Sequence, residues 1–301
     1  MDLAVIGLGK MGSNMSIRLL KGGHRVVAYD KDPKVRQQME NDIPELADSL
    51  SRLIDNLPSK KIIWIMLPPG PPTEETFGSL LGLLNAGDVI IDGGNCYYKD
   101  SIRRSTVANE IGIGYLDAGI SGGIAGLTDG YSIMVGGDIN VFHELEPIFQ
   151  CLAPRSDLGY GFVGPSGSGH FVKMIHNGIE YGLMQAYAEG FEMLISKEEF
   201  ALDVSQISGI WQGGSIISSR LLDFAGRVLE QDVSLENNNG YVEDTGEGRW
   251  TVLESIDLGV PIPVITTALQ RRFRSRQSQP FSDRLLAALR KAFGGHQVKS
   301  R

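Results

Sequence analysis

Residues 2–30 read "DLAVIGLGKMGSNMSIRLLKGGHRVVAYD". The run "DLAVI" (2–6) is short and apolar, as in a strand buried on both faces. "GLGKMG" follows at once, placing Gly7, Gly9 and Gly12 in the G-x-G-x-x-G spacing, and a helical segment continues through Leu20. "HRVVAYD" (24–30) is a second strand ending on Asp30. Glycine spacing alone is a weak signal. Between a strand and a helix, with a carboxylate closing the next strand, it becomes a dinucleotide-binding fingerprint. Gly7 permits the turn, Gly9 admits a pyrophosphate to the backbone, and Gly12 lets helix and strand pack closely. Leu8, Lys10 and Met11 complete the expected cofactor loop, whose helix start offers N–H donors to phosphate. Asp30 would accept hydrogen bonds from the ribose hydroxyls and repel a 2′-phosphate, which predicts NAD. Lys31 could offset part of that repulsion and leaves some use of NADP open.

Working outward, "KIIWIMLPP" (61–69) and "GDVIIDGGN" (87–95) are two further buried strands, with strand signals also near 113–119 and 131–135. Helical segments at 33–41, 74–84 and 100–111 alternate with them, which predicts right-handed βαβ units and a parallel sheet. After Gly164 the pattern turns helical, with further segments at 203–211, 215–230, 249–257, 262–275 and 282–292. The expected fold is therefore α/β: a Rossmann-type parallel-sheet domain over 1–165, then an all-α domain over 166–301 for substrate and oligomerisation.

The bulk numbers narrow the class. Hydrophobic residues make up 42% and charged residues 21%, as in soluble globular proteins. No apolar run of about 18 residues predicts a membrane span. The start "MDLAVIGLGKMG" has no basic n-region, so no signal peptide is read and the cytoplasm is the default. Cys96 and Cys151 suggest neither a disulfide framework nor a zinc site, and no metal is expected. A formal net charge of −8 argues against a nucleic-acid partner.

The segment "GHFVKMIHNGIEYGLMQ" (169–185) sets a different problem. Lys173, His176, Asn177, Glu180 and Tyr181 recur at i, i+3, i+4, i+7 and i+8, so they share one helix face. Beside them run Val172, Ile175, Ile179, Leu183 and Ala186, with Phe171, Met174 and Met184 adding apolar surface. This predicts a helix buried around much of its circumference, with an ionisable seam. A buried lysine and glutamate are costly unless paired or used. Ser121, Gly122 and Gly123 fall at a predicted strand end, where exposed N–H groups suit a carboxylate, although a plain turn would use the same residues. "LQRRFRSRQ" (269–277) is locally basic.

Three of these stretches carry a family resemblance. "DAGISGG" (117–123), "IIDGGN" (90–95) and "GSGHFVKMIHNGIEYG" (167–182) resemble the 6-phosphogluconate dehydrogenases, the decarboxylating enzymes of the β-hydroxyacid dehydrogenase superfamily. The resemblance covers essentially the whole chain and is to the short-form branch. It implies oxidation of 6-phosphogluconate at C3, loss of carbon dioxide and protonation of the resulting enediol at C1 of the product, ribulose 5-phosphate. Lys173 would be the base and Glu180 the final proton donor. Ser121, Gly122, Gly123, His176 and Asn177 would bind substrate, and Asn95 would lie between nicotinamide and substrate. Arg272 and Tyr181 would hold the phosphate, with Arg290 and His296 of "RKAFGGH" (290–296) added from a neighbouring subunit's tail, implying a homodimer or homotetramer. Two positions depart from the long form. Thr245 stands where it has a lysine, leaving Arg249 or another arginine to compensate, and Leu183 stands where it is acidic. The competing readings are a non-decarboxylating dehydrogenase of the hydroxyisobutyrate type, which needs no Glu180 or Arg272, and a non-catalytic dinucleotide-binding module, which needs no Lys–Glu seam.

Overall fold

The computed structural model describes residues 1–297, so residues 298–301 of the expected helical domain lie outside it. The chain divides into two compact units, Met1–His176 and Asn177–Arg301. The first is built on β1 (Asp2–Ile6), β2 (Arg25–Tyr29), β3 (Glu45–Leu46), β4 (Ile62–Ile65), β5 (Val89–Asp92), β6 (Gly114–Ser121), β7 (Ser132–Gly137) and β8 (Tyr160–Gly164). They form one sheet in the order β3-β2-β1-β4-β5-β6-β7-β8. Between the strands run α1 (Lys10–Lys21), α2 (Pro33–Met39), α3 (Leu50–Asp55), α4 (Pro71–Leu81), α5 (Tyr98–Glu110), the short α6 (Gly126–Asp129) and α7 (Ile139–Leu152).

The strand order reverses beside β1. The chain steps out to β3, then returns to add β4 on the other side. Such a switch point, at the carboxyl ends of the strands, is where open α/β sheets bind ligands. Gly7 stands just past β1 and Met66 just past β4. Strands β4 and β5 are buried at every residue, as a sheet covered on both faces requires. Alternate residues of β1 serve opposite cores: Leu3 and Val5 pack with Trp64, Leu145 and Phe149, while Ala4 and Ile6 pack with Leu53, Phe77 and Leu80.

One pairing departs from the parallel pattern predicted. Strand β7 runs antiparallel to β6, pairing Ser121 with Ser132 and Leu116 with Gly137. The ten residues between these strands are too few for a parallel crossover, which takes a dozen or more. Strand β8, which the sequence did not signal, then pairs in parallel with β7.

A single long helix, α8 (Ser168–Ser196), carries the chain out of the first unit. The boundary expected near residue 165 precedes this helix, whereas the compact units part within it, at His176 and Asn177. The second unit continues with α9 (Val204–Gln212), α10 (Arg220–Gln231), α11 (Glu247–Asp257), α12 (Pro263–Ser275) and α13 (Phe281–Gly294). Asp203 and Ser219 cap α9 and α10 by accepting from the amides of Gln206 and Leu222. Its cores are small: Phe191, Val204, Leu222 and Leu229 form one, and Tyr181, Ala268 and Leu269 another. Among the described residues no helix is long and apolar enough to cross a membrane.

Candidate active site

The glycine loop follows β1 directly. Gly7 has φ of 95°, a left-handed value that L side chains avoid, and a Cβ there would lie 2.5 Å from the Met66 carbonyl oxygen. A Cβ on Gly12 would come within 1.9 Å of the Gly7 carbonyl oxygen, so the start of α1 can press against the turn only as glycine. Gly9 differs from both. A Cβ there would meet no protein atom within 4 Å, so packing inside the protein does not call for a glycine at this position. The division matches what a dinucleotide loop needs: two glycines for the fold and one for close approach of a pyrophosphate. Asp30, just beyond β2, accepts the Leu8 amide on Oδ2 at 2.8 Å and the Asp32 amide on Oδ1 at 2.9 Å. These bonds fix the carboxylate against the loop, and each oxygen retains a further lone pair for a ribose hydroxyl. Lys10 and Lys31 are exposed, and Met11 packs partly buried against the core. The residues present therefore fit a dinucleotide.

At the end of β6 the motif residues converge. Asn95 has φ of 51°, uncommon for a non-glycine residue. Its Oδ1 accepts the Ile120 amide at 2.9 Å and its Nδ2 donates to the Ile120 carbonyl at 3.2 Å. The amide thus clasps the last turn of the strand before Ser121. Gly122 and Gly123 then take φ of 139° and 57°, which makes both glycines conformational requirements of this turn.

Lys173 reaches the same place from α8. It is 5% exposed, and its Nζ lies 3.4 Å from Nδ1 of His176, whose Nε2 lies 3.3 Å from the Ser121 hydroxyl. Two glycines admit the helix. A Cβ on Gly119 would lie 2.4 Å from the Lys173 Cβ, and one on Gly169 would lie 2.3 Å from the Asp117 carbonyl oxygen. Asp117, fully buried on β6, accepts the Gly167 amide at 2.6 Å and the His170 amide at 2.9 Å. A carboxylate there satisfies the orphan amides of the helix start and complements its dipole. Asp117 thus anchors the helix that presents Lys173. The sequence showed it only as part of a motif, because the amides it accepts lie fifty and more residues away.

In the second unit α8 carries Asn177 and Glu180, both half-buried, and Tyr181, which is buried. The Arg272 guanidinium of α12 lies 3.4 Å from the centre of the Tyr181 ring and donates from Nη1 to the Glu243 carbonyl at 2.8 Å. Burial raises the Tyr181 hydroxyl above its ordinary pKa, with Arg272 acting against that. Gly248 leaves room for the ring, since a Cβ there would lie 2.5 Å from it. Thr245 donates to the Glu247 carboxylate. Arg249, the candidate to compensate for the missing lysine, is bound through Nε and Nη2 to Asp244, which also holds Arg276 at 2.7 Å. Arg290 on α13 and His296 just past it are exposed in the single chain and not joined to this group by hydrogen bonds or ion pairs among the described residues.

The apolar stripe beside the seam corrects the sequence reading. Val172, Ile179, Leu183 and Met184 are exposed in the single chain, so the apolar stripe expected to be buried is largely open there while Lys173 and Tyr181 of the seam are buried.

A dinucleotide loop at the sheet's switch point, with a buried lysine that α8 brings to the end of β6, defines the class as nicotinamide-dependent dehydrogenases. Residues 2–161 match the NAD binding domain of 6-phosphogluconate dehydrogenase, and residues 186–300 match the C-terminal domain of the same enzyme. The chain belongs to the 6-phosphogluconate dehydrogenase family. It is 42% identical to the NAD(+)-dependent, decarboxylating 6-phosphogluconate dehydrogenase of Haloferax volcanii, over 99% of this chain and 98% of that one. It is 36% identical to the enzyme of the same description from Bacillus subtilis, covering 91% of this chain but 61% of that longer protein. Among solved structures, Plasmodium falciparum 6-phosphogluconate dehydrogenase superposes with a TM-score of 0.83 at 28% identity, over all of this chain and 66% of that one. The 3-hydroxyisobutyrate dehydrogenase of Mycobacterium tuberculosis shares the fold, with a TM-score of 0.67 at 19% identity over 89% of this chain and 90% of that one.

Proposed function

We propose that this chain oxidises and decarboxylates 6-phospho-D-gluconate to D-ribulose 5-phosphate and carbon dioxide, with NAD as the oxidant. The observation that carries this reading is Lys173, withdrawn from water and linked through His176 to Ser121 at the end of β6. As the base of this reaction Lys173 acts from its neutral form, the form that can take a proton. Gly7–Gly12 and Asp30 would hold NAD, which when bound would supply the acceptor for the C3 hydride. Lys173 takes the C3 hydroxyl proton. As an ammonium it then donates a hydrogen bond to the new keto oxygen, and so stabilises the charge that develops there as carbon dioxide leaves. Glu180, seven residues or about two turns further along the same helix, delivers the proton to the enediol carbon that was C2 of the substrate and becomes C1 of ribulose 5-phosphate. His176 and Asn177 bind substrate hydroxyls, Ser121 and the two glycine amides bind the carboxylate, and Arg272 with Tyr181 binds the phosphate.

The working unit in this reading is a homo-oligomer, a dimer or tetramer. Phe281, Leu285, Leu286, Leu289 and Phe293 of α13 are exposed in the single chain, and Arg290 rises from the same helix. A helix with so much exposed apolar surface needs a covering partner. With that face covered by a second copy, Arg290 and His296 complete the neighbour's phosphate site. Mixing two weak variants, Lys173→Met and Arg290→Ala, and allowing subunits to exchange should restore part of the activity. No recovery in a mixture shown to have exchanged would remove the shared site. The chemical reading itself is tested by steady-state turnover of 6-phosphogluconate beside 3-hydroxyisobutyrate with NAD. Preference for the phosphorylated sugar acid is expected, and preference for the small acid would overturn the assignment.

A further inference from the structure

The turn that carries Asn95 rests on a buried ionic cluster to which the reaction scheme assigns no task. Arg104 on α5 and Asp92 at the end of β5 are both fully buried. Arg104 donates from Nη1 to Asp92 Oδ2 at 2.7 Å, and from Nε and Nη2 to Glu74 Oε1 at 3.0 and 2.6 Å. The Tyr115 hydroxyl adds a bond to Asp92 Oδ2 at 2.8 Å, while Oδ1 accepts the Gly94 amide at 3.1 Å. A buried ion pair seldom stabilises a fold more than apolar side chains of the same size would, so its place here calls for another reason.

The turn supplies one. A Cβ on Gly93 would lie 2.3 Å from the Trp64 indole nitrogen, and one on Gly94 would lie 2.4 Å from the Leu67 carbonyl oxygen. Asn95 follows in the left-handed region, a conformation that persists only where its surroundings over-determine it. Its amide then grips both backbone groups of Ile120, next to Ser121. From Ser121 the polar contacts run through His176 to Lys173.

We propose that Arg104 is a positioning residue of the reaction: through Asp92 it fixes the Gly93–Gly94–Asn95 turn, and through Asn95 it sets the end of β6 that Lys173 works against. The inference rests on the reading of Lys173 as the base. Its route is specific, because Asp92 touches the turn amide with one oxygen and Arg104 with the other. Loss of the guanidinium releases the turn while leaving the glycine loop and Asp30 intact.

The test is a coupled pair of variants in the full chain. Arg104→Gln should lower kcat at least about tenfold while NAD affinity changes less than about twofold. The Ile120 amide should exchange hydrogen faster by mass spectrometry, and the Leu8 amide at its original rate. In an Asn95→Ala background the Arg104→Gln change should cost little more, since Arg104 acts through that side chain. Should Arg104→Gln fail to fold, Glu74→Gln, which leaves the Asp92–Arg104 pair in place, should move kcat and Ile120 exchange in the same direction by a smaller factor. Losses that multiply in the double variant, or an Ile120 amide that exchanges as in the parent, overturn the proposal. A parent that turns over no 6-phosphogluconate defeats the functional reading instead, and Ile120 exchange still decides whether Arg104 holds the turn.

Discussion

In Met1–His176 the apolar side chains pack against both faces of a sheet, and the buried Arg104, Asp92 and Asp117 find partners within the unit. Arg104 meets Asp92 and Glu74, and Asp117 meets the amides of α8. From Asn177 onward the balance reverses. The cores there are small, while α8, α11 and α13 present Ile179, Leu183, Ile256, Leu286 and Phe293 to the outside. A sheet satisfies its own backbone and buries two faces within one chain. A set of helices this small leaves whole apolar faces uncovered, which is what an assembly of copies would use. The contrast separates a frame that buries both of its faces within one chain from a helical part that leaves apolar faces exposed in the single chain, the faces that the proposed assembly would cover. Helix α8 belongs to both, with Lys173 in the first unit and Glu180 in the second.

The largest effect should come from the first end of that helix. Lys173→Met should reduce turnover on the order of a thousandfold, within the range for loss of a general base, and leave NAD binding by fluorescence titration nearly unchanged. Parallel loss of both would mean that Lys173 holds the frame together rather than serving as the base. Glu180→Gln should slow formation of ribulose 5-phosphate about a hundredfold, with the first turnover of NADH far less affected. Equal slowing of both phases would dissolve the division of labour along α8. Asp30→Asn should raise the NADP-to-NAD ratio of kcat/KM about tenfold, since it removes the charge that repels a 2′-phosphate. An unchanged ratio would place cofactor choice elsewhere.

A smaller effect concerns acid stability. Burial acts to raise the Asp92 carboxyl, but His170, Arg104 and Tyr115 together hold it below its ordinary 3.8. Burial likewise opposes Arg104 and Arg103 at Glu74, which nevertheless stays below its ordinary 4.5. Groups with a lower pKa in the folded state contribute stability that is full above the ordinary values and lost as pH falls through the folded ones. The melting temperature should therefore hold steady down to about pH 5 and fall below about pH 4. Asp92→Asn should give a lower plateau and a shallower fall. An identical pH profile would show that this pair does not sense acid.

Much of this frame was legible beforehand. The glycine spacing, Asp30 and the buried strands are local patterns, and the long helix announced itself by its lack of proline and its seam. What the sequence withheld depends on distant partners. The antiparallel β7 follows from a connection too short to cross over, and the roles of Asp117 and Arg104 follow from contacts that no period encodes. The stripe of Val172, Ile179 and Leu183 read as core because it is apolar, yet periodicity marks a face without saying which surface, if any, covers it. Arg249 suggested a compensating phosphate contact by charge alone, and its pairing with Asp244 is a contact that the sequence did not signal.

The most direct measurement follows the C1 carbon. With 6-phosphogluconate labelled there and NAD in excess, one labelled carbon dioxide should appear for each NADH formed, at the same steady-state rate. NADH accumulating without labelled carbon dioxide would contradict the account, leaving a hydroxyacid dehydrogenase that oxidises its substrate and stops.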